Sequence, residues 1–228
     1  MKTPIINDLK AIIFDFDGTL VDSEPVWKTT FQELFKEKYN IDIPKTILWE
    51  NTGGGVDRSV TNISNKLNLN MSTQEIDSVA HTLHETMEYK ILNTLDLRDG
   101  AKELFDWAIN NEVKLAICSA STEKMLTKYF SDKDLLHVFS EIHSTAISDM
   151  DKRKPFPYPY LKTMEKLDVA ADQTLVIEDS PKGIESSNRA GAYTIAIENI
   201  YLTEKVVEQN PKHLVQDFLA ILKLLSFA

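Results

Sequence analysis

The sequence predicts a doubly wound α/β fold, built on a parallel sheet and interrupted by an inserted helical segment. Three observations indicate this architecture. Short, continuously apolar runs recur along the chain and end in polar residues, as in strands that helices cover on both faces. Amphipathic helical patterns lie between these runs. After the first run, residues 22–92 are helical in pattern and break the alternation.

Four apolar runs are the predicted strands. They are AIIFD (11–15), VKLAICS (113–119), TLVIED (174–179) and YTIAI (193–197). The carboxyl ends of parallel strands meet at one edge of a sheet, and open α/β folds bind their ligands there. The polar residues that end these runs are therefore the candidates for a functional site.

Two apolar stripes and one pair of boundary signals predict helices. The stripes are Ala101, Leu104, Phe105 and Ala108, and, near the C-terminus, Leu214, Phe218, Leu222 and Leu225. In DSPKGIESSNRAG, Ser180-Pro181 is a helix start signal and Gly191 is a stop signal.

These patterns predict two domains. Residues 1–21 and 93–228 form a Rossmann-like core, and residues 22–92 form an inserted α-helical cap domain. In the cap, Trp27, Phe31, Leu34 and Phe35 share one helix face. The segment NTGGG (51–55) is the cap's predicted flexible loop.

Composition excludes several classes of partner. The formal net charge of −10 argues against nucleic-acid and anionic-membrane binding, which need basic patches. The single cysteine, Cys118, lies in an apolar run and is expected to be a core residue in a reducing compartment. With no signal peptide or membrane-length apolar segment in the sequence, we expect a cytoplasmic protein. We also expect it to be a monomer.

Carboxylates collect among the polar residues that end the runs. Asp15 and Asp17 end or follow the first run, and Glu178 and Asp179 end the third. Several carboxylates in one place repel one another unless a cation joins them. Mg²⁺ takes oxygen ligands and completes its coordination shell with water and substrate phosphate. The pattern therefore predicts a Mg²⁺ site.

Two further residues complete a candidate phosphate site. Ser119 ends the second run, and Lys154 lies in the loop DKRKPFP. A hydroxyl and an ammonium group both donate hydrogen bonds to phosphate oxygens. An aspartate is a competent nucleophile toward phosphorus, and a second carboxylate two residues on is placed to act as general acid and base. Each signal alone is typical of a solvated turn or surface charge, but their occurrence together favours a phosphoryl-transfer site.

Four segments resemble the motifs of the haloacid dehalogenase superfamily. They are DFDGTLVDSEP, CSAS, RKPFPYPYL and VIEDSPKGIESSNRAG. The resemblance implies that Asp15 is the nucleophile and a metal ligand. It implies that Asp17 is the general acid and base and binds the metal through its backbone carbonyl. The residues implied to complete the site are Asp179 and Glu178 for the metal, and Ser119, Ala120, Lys154 and Gly18 for the phosphate.

The branch with a cap after the first strand includes β-phosphoglucomutase and many sugar phosphatases. Where mutases resembling this chain carry a histidine, this chain carries Trp27, and DSEPVW is similar to hexitol- and deoxysugar-phosphate phosphatases. The family's cap loop often reads G-x-R, whereas this chain reads Gly53-Gly54-Gly55. The residues assigned to the substrate pocket are Glu24, Trp27, Gly53 and Arg58.

We therefore expect Mg²⁺-dependent hydrolysis of a small phosphorylated metabolite, a sugar or sugar-alcohol phosphate. One alternative is a phosphomutase, which returns the phosphate to a second hydroxyl. A non-enzymatic alternative is a receiver-like phospho-acceptor, which also combines an aspartate, an acidic metal site and a lysine on a doubly wound sheet. A receiver does not account for the helical insertion or for a second aspartate placed for proton transfer.

Overall fold

The computed structural model describes residues 6, 8–51, 55–145, 152–199 and 203–226. The chain divides into two compact units, Met1–Asp22 with Asp96–Ala228, and Ser23–Leu95. We call them the core unit and the cap unit. The catalytic and cap roles predicted for residues 1–21 with 93–228 and for residues 22–92 stay predictions.

The described residues form six strands and ten α-helices in chain order. They are β1 (Ala11–Phe14), α1 (Glu24–Tyr39), α2 (Lys45–Glu50), α3 (Val56–Lys66), α4 (Thr73–Thr94), α5 (Ala101–Asn110), β2 (Lys114–Ser119), α6 (Glu123–Asp132), β3 (Glu141–Ser144), α7 (Tyr158–Leu167), β4 (Thr174–Glu178), α8 (Pro181–Arg189), β5 (Tyr193–Ile197), α9 (Thr203–Glu208), β6 (His213–Val215) and α10 (Phe218–Ser226).

The strands form one parallel sheet in the order β3-β2-β1-β4-β5-β6. In the central strand, Ala11 is in register with Lys114 of β2 and with Thr174 of β4. This is the strand order of doubly wound dinucleotide-type folds, whose ligands bind where the order reverses beside the first strand. The predicted fold class is confirmed.

Side chains cover the sheet on both faces, which is why the strand sequences are apolar without alternation. On one face, Ile13 of β1 belongs to a buried cluster with Tyr160 and Met164 of α7. On the other face, the ring of Phe14 lies 5.4 Å from Phe105 of α5, centroid to centroid. Cys118 is buried in the first cluster, and its burial raises the pKa of the thiol to about 11, so it is a core residue.

Several predicted helices match the structure. The four residues of the first stripe are all buried on α5. Helix α8 begins at Pro181, directly after Ser180, whose side chain accepts a hydrogen bond from the backbone of Gly183. Its stop signal, Gly191, has a φ of +83°, a conformation that favours glycine after a helix.

Two strands, β3 and β6, were not predicted, because both are short edge strands without a buried apolar run. The prediction that Leu214 belongs to the C-terminal helix is wrong. Leu214 lies in β6, in register with Ala196 of β5. Helix α10 begins only at Phe218, where Asp217 accepts a hydrogen bond from the backbone of Ala220 at 2.7 Å.

The cap unit is helical in its described residues, which comprise α1 to α4. Its buried cluster includes Trp27, Phe31 and Phe35 on one face of α1, with Leu83 of α4. The indole of Trp27 packs 4.3 Å from the ring of Phe31. Residues 52–54 of the predicted flexible loop lie outside the described residues.

Within the described part of the chain, every helix is too short or too polar to span a lipid bilayer.

Candidate active site

The predicted polar residues meet at the carboxyl ends of three adjacent strands. Asp15 follows β1, and its backbone N–H donates to the carbonyl of Ile177 in β4 at 3.0 Å. Ser119 is the last residue of β2, and Glu178 is the last residue of β4. Because these strands are neighbours in the sheet, residues far apart in sequence face one another.

Lys154 joins these strand ends. Its Nζ lies 2.7 Å from Oδ1 of Asp15 and 2.6 Å from Oε1 of Glu178. The same ammonium donates to the carbonyl of Cys118 at 3.0 Å and lies 4.9 Å from the ring centroid of Tyr160. Only 13% of the lysine side chain is exposed, so its charge acts on the two carboxylates with little screening.

The charges in this cluster shift one another's pKa values. Burial raises the pKa of Asp15 to about 7, and the charges of Glu178 and Asp17 act in the same direction against Lys154. Burial alone lowers the pKa of Lys154, but the nearby carboxylates raise it well above its usual value. The lysine is therefore an ammonium ion, and Asp15 needs positive charge nearby to stay ionised at neutral pH.

Glu178 accepts hydrogen bonds on both of its carboxylate oxygens and so links several groups of the cluster. Its Oε1 accepts from Lys154 and from the hydroxyl of Tyr160, the latter at 2.5 Å. Its Oε2 accepts from the backbone of Asp179 and from the backbone and hydroxyl of Ser180, at 3.1–3.3 Å. Hydrogen bonds from five donors fix the orientation of this fully buried side chain.

Gly183 lies on α8, and because it has no side chain it leaves space for the carboxylate of Glu178. A Cβ at this position would lie 1.8 Å from Oε1 of Glu178. In an unobstructed helix, alanine in place of glycine stabilises by up to about 1 kcal/mol. Here we expect Gly183→Ala to lower the free energy of unfolding by about 1–3 kcal/mol, because the carboxylate or the helix must move. Urea denaturation measures the change, and stabilisation by the variant would contradict the steric argument.

Asp179 is held on both of its oxygens. Thr19 donates to Oδ1 at 3.2 Å and Asn199 donates to Oδ2 at 2.8 Å. Gly18 has a φ of +86°, and a Cβ there would lie 2.2 Å from Oδ2 of Asp179. Glycine is therefore required at this turn for two reasons, the left-handed backbone and the close approach of the carboxylate.

Three of the carboxylates are close enough to hold a metal ion. Among the described residues, one oxygen each from Asp15, Glu178 and Asp179 lie within 4.8 Å of one another. Three carboxylates facing one lysine leave excess negative charge in a buried place. An all-oxygen donor set with this charge fits a hard divalent cation such as Mg²⁺. Since Glu178 already accepts five hydrogen bonds, Asp15 and Asp179 are the better placed ligands.

Asp17 lies two residues after Asp15 and is half-buried. Its Oδ2 accepts a hydrogen bond from the hydroxyl of Ser121 at 2.5 Å. Ser119 is buried, and its Oγ accepts from the backbone of Ser121 at 3.0 Å. Ala120 between them is exposed.

The residues predicted for a substrate pocket belong to the cap unit. Glu24 is half-buried at the start of α1, with a carboxylate oxygen 3.8 Å from Nζ of Lys28. Trp27 is packed in the cap core, and Arg58 is exposed on α3. Gly53 lies outside the described residues. Their predicted role in a pocket stays a prediction.

The sequence reasoning did not single out four residues that hold the site together. They are Thr19, Ser121, Tyr160 and Asn199. The first three lie inside the quoted segments DFDGTLVDSEP, CSAS and RKPFPYPYL, so their position beside candidate residues was a usable signal. Asn199 lies outside the quoted segments, two residues after the end of β5, and no sequence pattern around it indicates a role in the site.

The strand order and the carboxylates around a buried lysine define a doubly wound α/β enzyme with an acidic site at its switch point. The chain belongs to the haloacid dehalogenase-like hydrolases, because the model of that family matches residues 12–197. The predicted family is therefore confirmed, and with it the prediction that the protein is an enzyme, a hydrolase.

Comparison with individual proteins gives the same family. A CBBY-like protein of Arabidopsis thaliana is 30% identical in an alignment of length 213 that covers 87% of this chain. The alignment covers 66% of that protein, just under two thirds of its length. A phosphorylated carbohydrates phosphatase of Thermotoga maritima is 25% identical, over 85% of this chain and 84% of that protein.

Solved structures share the fold. The crystal structure of a predicted phosphoglycolate phosphatase from Haemophilus somnus 129pt superposes with a TM-score of 0.81 at 21% identity. The match covers 96% of this chain and 98% of that one. At this identity the likeness supports the fold alone.

Proposed function

We propose that this hydrolase is a Mg²⁺-dependent phosphatase that acts on a small phosphomonoester, a sugar or sugar-alcohol phosphate, through an aspartyl-phosphate on Asp15. One observation carries the proposal. A buried aspartate at the carboxyl end of the central strand lies 2.7 Å from a buried lysine and within 4.8 Å of two further carboxylates. Together they supply a nucleophile, a phosphate-binding cation and oxygen ligands for a metal.

In the first step, an oxygen of Asp15 attacks phosphorus opposite the leaving oxygen. The bond from phosphorus to Asp15 forms as the bond to the alcohol breaks. Asp17 gives its proton to the departing oxygen, so that a neutral alcohol leaves. Lys154 and the hydroxyl of Ser119 bind the remaining phosphate oxygens and stabilise their charge in the transition state.

In the second step, water attacks the phosphorus of the aspartyl-phosphate. Asp17, now ionised, takes a proton from that water, and the bond between phosphorus and Asp15 breaks. Inorganic phosphate leaves, Asp15 is regenerated as a carboxylate and Asp17 is again protonated. Mg²⁺, when bound by Asp15, Asp179 and the backbone carbonyl of Asp17, supplies positive charge that favours ionised Asp15 and offsets repulsion by the phosphate.

The name of the Thermotoga maritima relative, a phosphorylated carbohydrates phosphatase, supports the proposed substrate class. The net charge of −10 argues against nucleic acid and anionic membranes as partners and leaves a small substrate as the expected one. The monomeric state and the cytoplasmic location stay predictions.

A turnover screen tests the proposal. With Mg²⁺ present, we expect phosphate release from hexose and hexitol monophosphates to exceed release from nucleotides and phosphoglycolate. Chelation should abolish turnover and Mg²⁺ should restore it, whereas Ca²⁺ should support it poorly, because its larger and looser shell misplaces the attacking carboxylate. Full activity after exhaustive chelation would exclude a metal-dependent mechanism.

A second experiment separates the phosphatase from the phosphomutase. A mutase must keep its phosphoenzyme from water and grip a second phosphate, and the loop Gly53-Gly54-Gly55 carries no arginine for that purpose. We expect phosphate release and no isomerised product when glucose 1-phosphate, supplied as both anomers with glucose 1,6-bisphosphate, is followed by phosphorus NMR. Formation of glucose 6-phosphate faster than phosphate release would favour the mutase.

A further inference from the structure

A serine outside the predicted set of site residues contacts the proposed general acid. The hydroxyl of Ser121 donates to Oδ2 of Asp17 over 2.5 Å, although the two residues are 104 positions apart. This distance is at the short end of the range for hydrogen bonds between two oxygen atoms.

Residues at the ends of the neighbouring strands bind the backbone of Ser121. Its backbone N–H donates to Oγ of Ser119 at 3.0 Å, and its carbonyl accepts from the hydroxyl of Ser144 at 2.6 Å. One residue beyond Ser144, the backbone of Thr145 donates to the carbonyl of Ser119 at 2.8 Å. The Ser121 hydroxyl therefore has a defined position relative to the ends of β2 and β3.

An aspartate that acts as a general acid must have its carboxyl group oriented toward the leaving group. The terminal torsion of its side chain is broad, so the carboxylate has no strongly preferred plane of its own. Proton delivery depends on which oxygen faces the leaving group, and a misplacement of about 1 Å costs on the order of a hundredfold in rate. A hydrogen bond to one oxygen restricts the rotation of the carboxyl group and so favours one orientation of it.

We propose that Ser121 is the positioning residue of Asp17: its hydrogen bond to Oδ2 orients the carboxyl group that delivers a proton to the leaving oxygen and later receives one from water. The inference rests on the proposed function, since it assumes that Asp17 is the general acid and base. It concerns orientation, and it assigns Ser121 no contact with the substrate.

A positioning role for Ser121 predicts that the effect of its loss depends on the leaving group of the substrate. A sugar hydroxyl leaves poorly as an alkoxide and needs the proton of Asp17, whereas p-nitrophenolate is a stable anion and leaves without one. Loss of orientation should therefore slow the release of a sugar and spare the release of p-nitrophenol. A general loss of structure would slow both.

The experiment measures the first turnover with enzyme in excess, using radiolabelled glucose 6-phosphate and p-nitrophenyl phosphate with Mg²⁺. We expect Ser121→Ala to slow glucose release by about ten- to a hundredfold, within the range by which a positioned acid accelerates a reaction. Release of p-nitrophenol should change by less than about threefold, and KM, measured separately in the steady state, should stay close to that of the wild type.

Three further variants complete the comparison. Ser121→Thr keeps a hydroxyl at the same position and should restore glucose release to within about threefold of the wild type. Ser131→Ala, at an exposed serine of α6, should have no effect on either release. Asp17→Asn should show the same dependence on the leaving group as Ser121→Ala, to a larger extent.

The outcomes separate failure of the inference from failure of the proposed function. Equal slowing of both substrates by Ser121→Ala, or no slowing of either, overturns the positioning role if Asp17→Asn still discriminates between them. If the wild type releases no phosphate, or if Asp17→Asn does not discriminate, the proposed function fails and the inference fails with it.

Discussion

Replacing Asp15 with asparagine is expected to lower kcat by at least about a thousandfold, the scale on which loss of a nucleophile is felt. Asparagine has nearly the same shape but forms no aspartyl-phosphate. The variant should stay folded, because Lys154 keeps its ion pair with Glu178, 2.6 Å away. The measurement is phosphate release from the best substrate of the screen, with circular dichroism to verify folding.

The matched control is Asp106→Asn, which changes an exposed aspartate on α5 and should leave kcat unchanged. Trapping of labelled phosphate on the protein, in the wild type and not in Asp15→Asn, would support the covalent intermediate. Near-normal turnover by folded Asp15→Asn would remove Asp15 from the mechanism.

Replacing Lys154 with methionine is expected to have the largest effect on stability. The change leaves Asp15 and Glu178 buried beside each other without their shared ammonium ion. Breaking a buried ion pair by removing one partner costs about 3–5 kcal/mol, since a charge is left uncompensated. Turnover should also fall, because the lysine binds the phosphate in the proposed mechanism.

The stability loss should depend on pH in a defined direction. Burial raises the pKa of Asp15 to about 7, above its usual 3.8, even though Lys154 lowers it, so the wild type loses folding stability as pH rises from 3.8 to about 7. Without Lys154 the pKa of Asp15 rises further, so the variant continues to lose stability above pH 7, where Asp15 of the wild type is already ionised. The difference in free energy of unfolding between Lys154→Met and the wild type should therefore be larger above pH 7 than below it.

Urea denaturation in the presence of a chelator, at one pH on either side of 7, measures this difference. Lys102→Met, at an exposed lysine of α5, is the matched control and should change the free energy of unfolding by less than about 0.5 kcal/mol at both pH values. A loss for Lys154→Met that is equal on both sides of pH 7 would show that the lysine acts through packing and not through its charge.

The sequence by itself determined the central strands and the identity of the charged groups at their ends. A strand covered on both faces is apolar at every position, so β1, β2, β4 and β5 are visible as local patterns. Since all four are parallel, the residues that follow them share one edge of the sheet. That is why the sequence alone predicts that Asp15, Ser119 and Glu178 lie close together.

Tertiary structure alone decided the elements that lack such a local pattern. The edge strands β3 and β6 are half-exposed and short, and β6 exists because it pairs with β5. Its pairing removed Leu214 from the helical stripe in which its spacing had placed it. The helical spacing of these apolar residues does not show that the first of them, Leu214, pairs with a neighbouring strand instead.

Tertiary structure also decided which groups hold the charged residues in place. Thr19 reaches Asp179 across 160 positions of sequence, Ser121 reaches Asp17 across 104, and Tyr160 reaches Glu178 across 18. Such hydrogen bonds depend on how loops and helices pack over the strand ends, and no residue spacing encodes them. The charges of the site follow from local sequence, whereas their orientation follows from contacts between distant segments that form only on folding.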